Sequence, residues 1–213
     1  TTFGRSGDGI NELNTPRGIF VDAAGRIYVA DTYNQRIVRI NDITGAGWTT
    51  LGSAGSGPRE FAQPEGIFVD AADRIYVVEY SRGVIVRMND MSGAGWTTFG
   101  RQGRGVNELS GPWSVFVDTT GRIYVSECEN NRIARMNDMT GVGWITFGSP
   151  GNGTNQFNCP FGVFVAVGKI YVVDSGNNRI VRMNDMTGAG WTTFGSQGNG
   201  KGQFNAPRGI FVR

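Results

Sequence analysis

The chain has 213 residues, 39% of them apolar and 18% charged, with a net charge of +2; this is a globular balance with room for one good-sized core. So small a charge makes no case for a nucleic-acid or membrane-surface partner, and no apolar run approaches the ~20 residues of a membrane helix. Histidine is absent, which removes His-based acid–base chemistry, a Ser-His-Asp triad and the usual His-ligated zinc or copper.

The chain opens on Thr1–Gly4, which reads as most of an outer strand without the Trp that begins its later copies. A glycine-rich linker follows, and then the run Gly18–Asp22, which returns at Gly66–Asp70, Ser114–Asp118, Gly162–Ala166 and Gly209–Arg213, with spacings of 48, 48, 48 and 47. Within one repeat four short strands are predicted. The first is Gly18–Asp22, followed by a tight turn at Asp22–Gly25 and a second strand at Arg26–Asp31; the third is Arg36–Ile40, and the fourth is of the kind seen at Trp96–Gly100. These runs are rich in Val, Ile, Tyr, Phe and Thr, which suit a pleated surface, and none keeps a helical period. Four antiparallel strands in a repeat of ~40–50 residues are the signature of a β-propeller blade.

The fold class expected is therefore all-β, a β-propeller of four-stranded antiparallel blades in one domain or part of one. The repeats run over about 18–65, 66–113, 114–161 and 162–208, with partial strands at 1–4 and 209–213. A closing blade built from those two pieces would have a first and a fourth strand but no second or third. Further blades, or self-association with another chain, are thus expected to close the ring, because an open sheet edge invites pairing.

Three copies carry Pro-x-Gly (Pro-x-Ser in the middle one), an acid at the end of the second strand and Asn-x-Arg in the next turn: Pro16…Asp31…Asn34-Gln35-Arg36, Pro112…Glu127…Asn130-Asn131-Arg132 and Pro160…Asp174…Asn177-Asn178-Arg179. This pattern resembles the NHL repeat. The second copy departs from it, with Glu79-Tyr80-Ser81-Arg82-Gly83-Val84 in that turn. The resemblance implies a propeller, usually of six blades, that recognises protein, peptide or RNA.

Features that recur in at least three copies read as structural. The acid and Arg of the turn are expected to cap and clamp it. The linker residues Leu13, Phe61, Leu109, Phe157 and Phe204 are expected to plug the space between blades. Positions that differ between otherwise matching copies point instead to a ligand. Just after the linker Pro stand Arg17, Glu65, Trp113, Phe161 and Arg208, and the turns after the second strands add Tyr33, Glu79, Tyr80 and Arg82. Propeller topology gathers all nine at one mouth of the axial channel, and exposed aromatic and Arg side chains are the usual makings of a binding hot spot. Cys128 and Cys159 fall on that same face in adjacent blades. They are either two unrelated residues or a disulfide between blades, which would point to an oxidising, extracytoplasmic compartment.

The expectation is a binding or scaffolding module with a protein or peptide partner, no enzymatic activity, no cofactor, no metal and no membrane insertion. One alternative is a calcium-dependent, lactonase-like hydrolase, because Pro64-Glu65-Gly66 resembles one element of such axial sites. Another is RNA binding through Arg17, Arg208, Arg101 and Arg104, which added salt would weaken.

Overall fold

The computed structural model describes residues 3–212. In chain order, β1 (Arg5–Ser6) and β2 (Glu12–Leu13) precede a first sheet of β3 (Pro16–Val21), β4 (Ile27–Asp31), β5 (Arg36–Ile40) and β6 (Thr49–Leu51). A second sheet holds β7 (Pro64–Val69), β8 (Ile75–Glu79), β9 (Val84–Met88) and β10 (Thr97–Gly100). A third holds β11 (Pro112–Val117), β12 (Ile123–Glu127), β13 (Arg132–Met136) and β14 (Ile145–Phe147). After β15 (Ser149–Pro150) and β16 (Gln156–Phe157), a fourth holds β17 (Pro160–Ala166), β18 (Lys169–Asp174), β19 (Arg179–Met183) and β20 (Thr192–Phe194); β21 (Ser196–Gln197) and β22 (Gln203–Phe204) follow. Each four-stranded sheet is an antiparallel meander in chain order, and the first strands of successive sheets lie side by side. The four sheets are thus the four blades of a propeller, with β3, β7, β11 and β17 lining the axis.

Both faces of an inner blade are apolar because each meets a neighbour. On blade 2, Ile67, Val69, Ile75, Val77, Val84 and Val86 pack with Tyr28, Ala30 and Ile37 of blade 1. The alternate residues Tyr76, Val78, Ile85 and Phe99 face blade 3. Burying each such side chain is worth about 1.5–3 kcal/mol, so stability is held between blades and not within one. Of the five expected plugs, Phe61, Leu109 and Phe157 are fully buried, while Leu13 and Phe204 at the ends are half-buried.

The linkers are more ordered than glycine content suggests. Each folds back as a short parallel pairing, such as β15 with β16 or the Ala54–Phe61 bridge. The side chain at the linker's Glu or Gln closes it, as Glu12 Oε2 accepts from Gly9 N at 2.9 Å and Gln156 Oε1 from Gly153 N at 2.9 Å.

Two terminal expectations meet their limits here. Thr1, Thr2 and Arg213 lie outside the described residues; Phe3 and Gly4, and Gly209 to Val212, form no strand. With no second strand beside it the last segment has no ladder to join, although Phe211 packs on Phe164 with ring centroids 5.4 Å apart. The ring is open among the described residues. Ile19 and Val21 of blade 1 are 68% and 54% exposed, whereas their counterparts Ile67, Val69, Val115 and Val117 are buried.

Candidate functional site

The first strand of each blade starts at the linker Pro, earlier than the apolar run that marks it in sequence. Its pairing with the second strand then breaks register, between Pro16 and Ile19, Pro64 and Ile67, Pro112 and Ser114, and Pro160 and Val163. Such a bulge frees residues from the ladder and re-aims their side chains. The residues released are Arg17, Glu65, Trp113 and Phe161, at the mouth of the axis. Adjacent bulges are packed backbone to backbone. A Cβ on Gly66 would lie 2.6 Å from Trp113 O, and one on Gly18 closer still to Glu65 O, so glycine is the residue that admits this approach.

Six of the nine proposed mouth residues converge. The rings of Trp113 and Phe161 stack, with centroids 3.9 Å apart and planes 5° from parallel. Tyr80 meets Trp113 edge-on at 5.9 Å. The Arg17 guanidinium stands over Trp113 at 5.0 Å, and that of Arg208 stands 5.7 Å from Trp113 and 5.5 Å from Phe161. Cations over aromatic faces at such distances are attracted by the ring quadrupole. Glu65 lies beneath them, 1% exposed. Its Oε1 accepts from Gln63 Nε2 at 2.9 Å and pairs with Arg17 NH1 at 3.2 Å; Glu65 Oε2 and Arg17 Nε are buried without a partner. Burial pushes the Glu65 carboxyl above its ordinary value, against the pull of Arg17. The cavity they border, of about 530 Å³, is lined also by Gly66, Ser114 and Gly162.

The other three do not join this cluster. Glu79 is a correction: it is fully buried, and its Oε2 accepts from Ala62 N at 2.9 Å. It occupies the place of Asp31, Glu127 and Asp174, whose carboxylates accept from Asn14 N, Ser110 N and Asn158 N in the same way. These acids therefore fasten the preceding linker, and not the amides of their own turn as expected. Arg82 is the second correction. It sits 3.7 Å from Glu79 and donates to Ser56 O at 3.0 Å, so it replaces both the Asn and the Arg of the other turns. Tyr33, 54% exposed, stands apart and makes no ring contact among the described residues.

Sequence reasoning missed Glu129. It accepts from Tyr80 OH at 3.0 Å, from Gln102 Nε2 at 3.2 Å and from Ser110 Oγ, and the Ser110 bond holds its carboxyl below the usual value. It is the same turn position as Tyr33 and Ser81, so comparing copies there would have exposed it. Cys128 and Cys159 are bonded, with Cα atoms 3.8 Å apart, and tie the turn after β12 to the linker before β17.

Residues 15–89 match a family model described as a 6-bladed beta-propeller, and residues 109–136 match the NHL repeat. None of the curated proteins compared with the chain matches it. Among solved structures it is similar to virginiamycin B lyase from Staphylococcus aureus, at 19% identity and TM-score 0.61, over 84% of this chain and 55% of that one. It is also similar to a streptogramin B lyase at 18% and 0.63, over 92% of this chain and 58% of that one. A nidogen/laminin complex gives 19% and 0.68, over 85% and 64%. The chain thus spans between 55% and 64% of the length of these solved chains. At these identities the likeness is one of fold.

The lyases overturn the expectation that this chain is not an enzyme, since catalysts share its fold. Missing histidine removes one kind of acid–base group only, and a carboxyl such as Glu65, buried at the edge of a cavity and shifted upward by that burial, is another. The family models, the repeated motif and the four stacked blades agree on the fold: this chain is a β-propeller, and its residues 109–136 match the NHL repeat.

Proposed function

We propose that the axial mouth is a recognition site for a protein or peptide partner. The observation that carries this is that Trp113, Arg17 and Arg208 line one cavity, with Phe161 and Tyr80 packed on the Trp113 ring, at positions where otherwise matching repeats diverge. Rigid aromatic rings and guanidinium groups give large contact area at low entropic cost. The nidogen/laminin complex, a similar structure, is itself a protein assembly. The calcium-dependent alternative is less well supported, because the guanidinium of Arg17 already pairs with Glu65.

The test is a displayed library of linear decapeptides panned against the chain. Peptides selected by the wild-type protein lose about thirtyfold in affinity on Trp113→Ala, the loss of a ~2 kcal/mol hot spot, and weaken on Tyr80→Ala. The melting temperature of both variants stays near that of the wild type. Selected peptides that bind the Trp113 variant as well as the parent would sink the reading, and so would a collapse in stability.

A second reading rests on Glu65 alone, as a proton-transfer group in that cavity. It predicts turnover of a bound ligand that Glu65→Gln abolishes while binding persists.

A further inference from the structure

We infer that the group seated in this mouth is a carboxylate of a peptide, an acidic side chain or a C-terminal carboxylate, held between Arg17 and Arg208 on the Trp113–Phe161 stack. This rests on the mouth being the recognition site and names what it recognises.

Two guanidinium groups share one indole ring, yet only Arg17 is in ion-pair contact with an acid, while Arg208 feels Glu65 only at longer range. Arg208 is exposed, is in no ion pair among the described residues, and is held by ring faces. Like charges brought together over an apolar surface repel, and an anion between them turns that repulsion into two charge-assisted hydrogen bonds. Glu65 does not serve as that anion for both: its one engaged oxygen goes to Gln63 and Arg17, and it lies buried below the rings.

Glu65 Oε2 supplies an independent observation. It is a buried acceptor with no donor in reach, and buried polar atoms of folded proteins are nearly always satisfied. A ligand that brings an N–H along with its acid completes it, and a peptide carries both. A nucleic-acid strand fits less well. Its phosphates would run past Glu65 and Glu129, the two carboxylates of the site, and such strands are held by a continuous basic groove. A cavity of about 530 Å³ holds one or two residues of a peptide, not a run of nucleotides.

The experiment uses the full chain and an array of peptides in matched pairs: Asp or Glu against Asn or Gln, and free C-terminal acid against amide. Retained peptides should carry the acid, and its conversion to amide should weaken binding by about tenfold or more. Arg208→Gln should erase that difference with little change in melting temperature, since Arg208 is exposed and in no ion pair among the described residues. Binding that depends on Trp113 but is indifferent to acid or amide overturns the inference and leaves the recognition reading standing. So does Arg208-dependent binding of a single-stranded RNA oligonucleotide that acidic peptides do not displace. If no peptide of either form binds in a Trp113-dependent way, the recognition reading fails, and the inference falls with it.

Discussion

Arg132 is the most enclosed guanidinium of the acid-and-Arg pairs that end the second strands, with its side chain 9% exposed against 14% for Arg36 and 13% for Arg179. It donates to Glu127 Oε1 at 2.6 Å and to the carbonyls of Arg104 and Glu108, both at 2.9 Å. Burial pushes Glu127 up, and the Arg132 hydrogen bond opposes it. Arg132→Met leaves that acid buried and unpaired, so unfolding free energy should fall by about 3–5 kcal/mol in denaturant titration. A loss below ~1 kcal/mol would mean the pair contributes little. Glu65 behaves differently with pH. Its folded-state pKa is raised above 4.5. Such a group favours the folded state fully below its unfolded pKa, and that contribution is lost as pH rises through the folded value. As pH rises above about 4.5 the wild type should therefore lose more stability than Glu65→Gln. Melting curves that run parallel over that rise would show Glu65 titrating as an exposed carboxyl does.

At the scale of strands and linkers, what was legible was what repeats. Apolar runs at 48-residue spacing fixed the four strands of each blade, because a sheet with neighbours on both faces must be apolar on both. The bulge was not legible as a bulge. The linker Pro marked it, but only the broken pairing shows why residues 17, 65, 113 and 161 turn toward the axis. Treating every variable position as part of the mouth failed for Glu79 and Arg82. In the second turn an acid–Arg pair persists with the Arg moved two places earlier, so a structural pair looked like a divergent one. The disulfide was open from sequence, since it depends on how the turn after β12 meets the next linker. Cys128 and Cys159 close a loop of 31 residues, and removing the link should cost about 4 kcal/mol. Denaturant titration of Cys159→Ser against the parent checks this; an unchanged midpoint would show the link to be idle.

At the scale of the molecule, four blades present two ends of one axis. One end carries the Trp113 cluster. The other opens between the first-to-second-strand turns of blades 2, 3 and 4, as a groove of about 930 Å³ lined by Phe68, Phe116, Arg122 and Arg135. Volume alone favours the second end; chemistry favours the first, where cations, rings and an unsatisfied carboxylate oxygen meet. The bulged residues lie outside the ladder, so their amides exchange on an accessible timescale and report a bound ligand. The most direct measurement is hydrogen exchange across the chain with and without a peptide selected from the library. The account predicts protection at residues 16–18, 64–66, 112–114, 160–162 and 207–209, the five segments around the mouth. Protection confined to 70–74, 118–122 and 166–169, at the opposite end, would contradict it.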